Sequence, residues 1–139
     1  MKSEWNNSLS AEALIDKADK LFGEEKYKEA EALYFKGLEI INNIEDVAES
    51  DRYLRNAYAG LGDCFLLKND YECAKNYFLK AHFYDSANPY INLHIGMCYA
   101  FLDNEAMAKE YLIQAYMMAG EGIFSEDKPF LDIIRDMIS

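Results

Sequence analysis

Three cysteines, two histidines and a surplus of carboxylates are the side chains in this sequence whose types could do chemistry. Cys64 and Cys98 stand in matching settings, Gly62-Asp63-Cys64-Phe65 and Gly96-Met97-Cys98-Tyr99, which invites a reading as a reactive pair. Spacing argues against it. The gaps of 9 and 25 residues from Cys64 to Cys73 to Cys98 match neither a zinc ribbon nor a two-residue redox motif. A nucleophilic thiol also needs an open, basic setting, whereas small and aromatic residues surround these; three buried thiols in a reducing compartment are expected. His82 and His94 lie on different hairpins and form no histidine pair at helical spacing, and no glycine-rich phosphate loop is present. The sequence therefore suggests no catalytic residue, metal ligand or cofactor site, and points to binding and not turnover.

Charge narrows the partner. Fourteen Lys and Arg against 25 Asp and Glu give a formal net charge of −11, the wrong sign for a nucleic-acid backbone or an anionic membrane. Thirteen of the acids, against six bases, lie in residues 1–51, so the N-terminal part is the more acidic. No stretch approaches the 18 apolar residues of a membrane span. The polar start, Met1 to Asn7, has no signal-peptide core, which makes a cytoplasmic location the expectation.

The 139 residues amount to one ordinary domain. Apolar residues recur three and four apart, and only two prolines and seven glycines interrupt them, so the chain is predicted to be all-α. The first helix is expected from Ser10, as N-cap, to Phe22, and the second from Tyr27 to about Asn43. A third runs from near Val47 or Asp51 to Leu67, and a fourth from Tyr71 to Tyr84. Asn88-Pro89 opens a fifth that ends at Phe101 or Leu102. The sixth spans Glu105 to Ala119, with Gly120 as its stop. A last amphipathic helix, about 126–138, is capped by Ser125 or Asp127 and buries Phe130, Ile133, Ile134 and Met137.

Short turns make consecutive helices antiparallel, giving three hairpins. Gly62 and Gly96, Cys64 and Cys98, Phe65 and Tyr99, Ala74 and Ala108, Lys75 and Lys109, Tyr77 and Tyr111, and Ala81 and Ala115 are each 34 residues apart. That period, with small residues where paired helices touch and aromatics beside them, resembles the tetratricopeptide repeat (TPR). Tyr58, Leu61-Gly62, Phe65, Ala74, Phe78 and Ala81 fill its signature positions in one hairpin, and Ile95-Gly96, Tyr99, Ala108, Leu112 and Ala115 in the next. Leu14, Ala18, Leu21, Ala30, Tyr34 and Gly37 fill them in the first, where Lys17 replaces a usual apolar residue. The resemblance implies a right-handed α-solenoid of three hairpins, about 11–44, 55–88 and 89–122, with an inserted link at 45–54 and a C-terminal capping helix. The link is expected to lengthen the helices around a turn, since Ile40, Ile41, Ile44 and Val47 alternate with charge. Tyr27 to Tyr34, with Gly37 to Ile40, also resembles the longer repeats of the kinesin light chain type, whose hairpins form a peptide groove.

By the family pattern, first helices line a concave surface that receives peptides. The positions carried over include Ile15, Asp16, Asp19, Asn56, Gly60, Asp63, Tyr90, Leu93, His94 and Met97. Asp16, Asp19 and Asp63 are expected to hold a Lys or Arg of the partner, and Tyr90, Leu93 and Met97 its apolar anchors; Asn56 and His94 are further groove positions. Relatives that grip the C-terminal carboxylate of chaperones use Lys, Arg and Asn here; Ile15, Asp19, Gly60, Tyr90 and His94 supply no such clamp. The resemblance thus implies an adaptor or scaffold that binds a protein or peptide. A plan of three repeats, an acidic chain and a trailing helix is also similar to type III secretion chaperones, which cradle a segment of an exported protein. Self-assembly into a homo-oligomer through the last helix is a further alternative.

Overall fold

The structure, a computed structural model, describes residues 2–42 and 50–138. Six long helices come first: α1 (Lys2–Gly23), α2 (Tyr27–Asn42), α3 (Ser50–Leu67), α4 (Tyr71–Tyr84), α5 (Pro89–Phe101) and α6 (Glu105–Ala119). A 3-10 turn, Glu121–Phe124, leads to the short α7 (Lys128–Ile133) and α8 (Arg135–Ile138). The principal packing partners are α1 with α2, α3 with α4 and α5 with α6, and successive pairs stack through α2 on α3 and α4 on α5. No described helix is long and apolar enough to cross a membrane.

The turns inside the hairpins repeat as faithfully as the helices. Glu25, Asn69 and Asp103 all adopt positive φ, at 64°, 61° and 60°. The next residue's amide then closes the helix end, Lys26 on the Leu21 carbonyl at 2.9 Å, Asp70 on Phe65 at 3.0 Å and Asn104 on Tyr99 at 2.9 Å. Asn and Asp tolerate this left-handed region better than Glu does, so the first turn carries the greater local cost. Asp70 and Asn104, again 34 apart, cap α4 and α6 by accepting from the Cys73 and Met107 amides, each at 3.2 Å. Asn88 caps α5 through the Tyr90 and Ile91 amides, with Pro89 in the first turn.

Glycine contact draws the paired helices together as the repeat requires. A Cβ on Gly62 would lie 2.7 Å from the Phe78 ring, and one on Gly96 2.6 Å from Leu112. Beside these contacts the rings stack in register: Phe65 on Tyr77 at 5.5 Å and, one repeat later, Tyr99 on Tyr111 at 5.9 Å. Cys64 and Cys98 are buried there, and burial pushes their thiols up to about 11 and about 12. They are packing residues, protonated at neutral pH.

Several boundaries differ from the sequence expectation. Helix α1 begins at Lys2, so Ser10 is interior and not a cap; neither Gly nor Pro interrupts residues 2–10 to end the helix there. Helix α3 starts at Ser50, as the helix reading expects, so residues 50–54, which the repeat division placed in the link, belong to it, with Tyr53 and Leu54 buried against the first hairpin; Ile44 and Val47 lie outside the described residues. Cys73 is only half-buried, being on the first turn of α4. The terminal helix is two short pieces broken at Ile134, and Asp127 makes no side-chain capping bond. Phe124, Leu131 and Ile134 are buried against α5 and α6, while Met137 is 48% exposed. The break turns the helix before Met137 can reach that core.

Candidate functional site

A hollow of about 270 Å³ opens on the face made by the first helices. Asp19 and Phe22 of α1, Arg55, Asn56 and Asp63 of α3, and Tyr90 and His94 of α5 line it. Tyr34 of α2 reaches the same space because Gly60 has no side chain: a Cβ there would overlap Tyr34 Cζ. The Tyr34 hydroxyl donates to Asp19 Oδ1, which ties the back of the hollow to its rim.

Burial sets the electrostatics. Desolvation pushes the Asp63 carboxyl up to about 7, with the charge of Asp19 adding to the rise. Asp19 is raised as well, burial outweighing the Tyr34 hydrogen bond that favours its anion. His94 Nδ1 lies 3.6 Å from Asp63 Oδ1, a separation that favours an ion pair. Burial opposes it and prevails, pulling the imidazole down to about 4 and leaving it neutral at pH 7. The phenol of Tyr34 is held far above its ordinary range and serves only as a donor.

Asp19, Asn56, Asp63, Tyr90 and His94 are thus brought together as the sequence positions implied. Others are not. Asp16 is exposed beside Asp19 but does not line the hollow. Leu93 and Met97 are 2% and 8% exposed and pack with Leu112, Phe124 and Leu131; neither lines this hollow, and Leu93 edges an adjoining one. Ile15 likewise faces Gly37 and is fully buried. The repeat register puts these residues on the first helix of a hairpin, yet the cap folds over the last one and covers its far side.

Sequence reasoning missed Tyr34, Asn88 and Arg55. Arg55 is a base on the groove wall, where no base was expected, and its Nη1 is engaged by Asp85 at 3.0 Å. Asp85 in turn accepts from Asn88 Nδ2 at 3.1 Å, so this arginine braces the entry to α5. No cluster of metal-ligating side chains occurs among the described residues.

No protein-family model matches the chain, and no curated protein matches it. Solved structures do. The C-terminal TPR-containing domain of PFL2275c from Plasmodium falciparum superposes with a TM-score of 0.82 at 16% identity, over 96% of this chain and 94% of that one. The first TPR of Spaghetti (RPAP3), bound to the HSP90 peptide SRMEEVD, gives 0.71 at 18% identity over 95% and 98%. The Yersinia enterocolitica type III secretion chaperone SycD, in complex with a peptide of the translocator YopD, gives 0.66 at 20% identity over 90% and 89%. The chain has the tetratricopeptide-repeat fold, an all-α solenoid of three helical hairpins.

Proposed function

We propose that this protein is a non-catalytic interaction module that seats a peptide or helical segment of a partner in its concave hollow, acting as an adaptor or scaffold. The observation that carries this reading is the placement of Asp19 and Asp63 in one hollow, with no Lys or Arg in an ion pair with either among the described residues, and an exposed aromatic, Tyr90, beside them. A Lys or Arg of the partner fits such a site. Its charge favours the Asp63 anion that burial suppresses, while its aliphatic stem covers Phe22 and Tyr90.

Charge separates this groove from that of Spaghetti, whose bound peptide SRMEEVD carries three acids. An acidic hollow repels such a segment; Arg55 on its wall has Nη1 engaged by Asp85 and a buried Nε without a partner among the described residues. Affinity capture with the native chain and with an Asp19→Lys/Asp63→Lys chain tests the proposal. Partners retained by the first and lost by the second are expected to carry a basic segment; an identical set on both baits contradicts it.

A second reading, a chaperone that cradles a segment of an exported protein, draws on the likeness to SycD. It differs in one measurable respect. A chaperone keeps its captured partner unfolded, so limited proteolysis of the complex shows a partner cut outside the protected segment, whereas an adaptor holds a folded one.

A further inference from the structure

The concave face holds a second hollow, of about 340 Å³, between α5 and the turn that enters α7. Tyr90 and His94 line both hollows, so the two adjoin across α5. The far wall carries Ser125, Glu126 and Asp127. Asp127 sits at the N-cap position of α7 without capping it, and neither it nor Glu126 has a side-chain hydrogen bond or ion pair among the described residues.

Several acids outside the concave face have basic partners. Glu31 meets Lys68, Glu72 meets Lys75, Glu105 and Asp136 share Lys109, Asp132 meets Arg135 and Asp85 meets Arg55. The carboxylates at the two ends of the concave face have no Lys or Arg in an ion pair with them among the described residues. Asp19 accepts from the Tyr34 hydroxyl and feels the charges of Asp16 and Arg55, Asp63 faces a half-buried imidazole, and burial together with Glu126 raises the Asp127 carboxyl. Between the two acidic ends stands Tyr90, 63% exposed.

We infer that the groove takes an extended segment with two basic residues, one at Asp19 and Asp63 and the other at Glu126 and Asp127, whose intervening side chain packs on Tyr90. This rests on the proposed peptide-binding function and specifies its ligand. One helix width, roughly 10 Å with side chains, separates the hollows, and extended chain advances roughly 3.3 Å per residue. The two basic residues therefore stand about three or four positions apart, a pattern in which a single lysine reaches one end only.

Fluorescein-labelled, acetylated and amidated peptides test this by anisotropy with the full chain. The probes place two lysines three or four positions apart around a leucine on a Gly/Ser background, and control probes replace either lysine by norleucine. With the dilysine probe, Asp19→Asn/Asp63→Asn and Glu126→Gln/Asp127→Asn are each expected to weaken binding roughly threefold to tenfold. Replacing one lysine should abolish sensitivity to one double variant, and replacing the other should abolish sensitivity to the other. Unchanged affinity in the Glu126→Gln/Asp127→Asn chain, with weakening in the Asp19→Asn/Asp63→Asn chain, overturns the two-ended ligand and leaves the groove. Insensitivity to both, or no binding of any dilysine probe, overturns both. Should a double variant fail to fold by circular dichroism, the native chain still decides: norleucine probes that bind as tightly as dilysine ones contradict the inference.

Discussion

Tyr34 donates its hydroxyl to Asp19 from a position that only Gly60 allows, because any side chain at Gly60 would occupy the space of the phenol ring. The bond joins α1 to α2 and the contact joins α2 to α3, so one residue fixes the back wall of the groove across both hairpins. Tyr34→Phe is expected to cost about 1–2 kcal/mol, since it leaves a partly buried carboxyl without its donor. Gly60→Ala should cost about 1–3 kcal/mol by displacing the ring. Urea denaturation checks both. Stabilisation of Gly60→Ala by about 1 kcal/mol, as helix propensity alone dictates, contradicts the contact.

The same conflict between propensity and contact makes two other glycines a matched pair. Gly23 has nothing within 4 Å of where a Cβ would lie, whereas Gly96 meets Leu112. Gly23→Ala is expected to be neutral or to stabilise by up to about 1 kcal/mol. Gly96→Leu should loosen or unfold the third hairpin. Thermal melts that rank the two variants the other way round contradict the packing.

Asp63 and His94 give the pH dependence two opposing parts. The folded pKa of Asp63, about 7, exceeds its ordinary 3.8, so its contribution is complete below about 4 and is lost as pH rises toward 7. His94 falls from 6.5 to about 4, so its contribution is complete above 6.5 and is lost as pH drops toward 4. Asp19, Arg55 and Tyr34 face the same hollow, and the charge of Asp19 adds to the rise of Asp63. Over pH 4 to 6.5 the two parts offset each other in the native chain. Asp63→Asn should make stability rise with pH across this window, and His94→Gln should make it fall. A His94 titration above 6.5 by NMR contradicts the neutral pair.

The cap supplies a fourth prediction. Phe124, Leu131 and Ile134 close the last hairpin and are buried within the same chain. Phe124→Ala should cost about 3–5 kcal/mol, and truncation after Glu121 should aggregate or unfold. Light scattering that shows a clean monomer from a dimeric parent contradicts the capping role and favours exchange of the helix between copies.

The periodic part of the fold was legible because its causes are local and repeat. Gly62 and Gly96 mark helix contacts in the sequence itself, and the short turns between paired helices are visible there, while the caps by Asp70 and Asn104 and the left-handed Asn69 and Asp103 come from the structure. The groove was legible only where the repeat register governs it, at Asp19, Asn56, Asp63, Tyr90 and His94. Leu93 and Met97 are largely taken into the core because Phe124 and Leu131, which follow the repeats, pack on them, and Leu93 keeps an edge on the adjoining hollow. Tyr34 lies on the second helix of its hairpin and enters through the gap at Gly60, a route that spacing does not reveal. Arg55 neighbours an assigned groove position, and only the geometry of Asp85 holds it on the wall.

The central claim is that the concave face, and not the outer surface, receives a basic segment of the partner. A photo-crosslinking residue placed at Tyr90, in the groove, and separately at Phe83, exposed on α4 away from it, tests that directly. Mass spectrometry of the products from cell extract is expected to find partner peptides bearing Lys or Arg attached at Tyr90, lost when Asp19→Lys/Asp63→Lys is added. Crosslinks that form at Phe83 alone, or that persist at Tyr90 with the charges reversed, contradict the account.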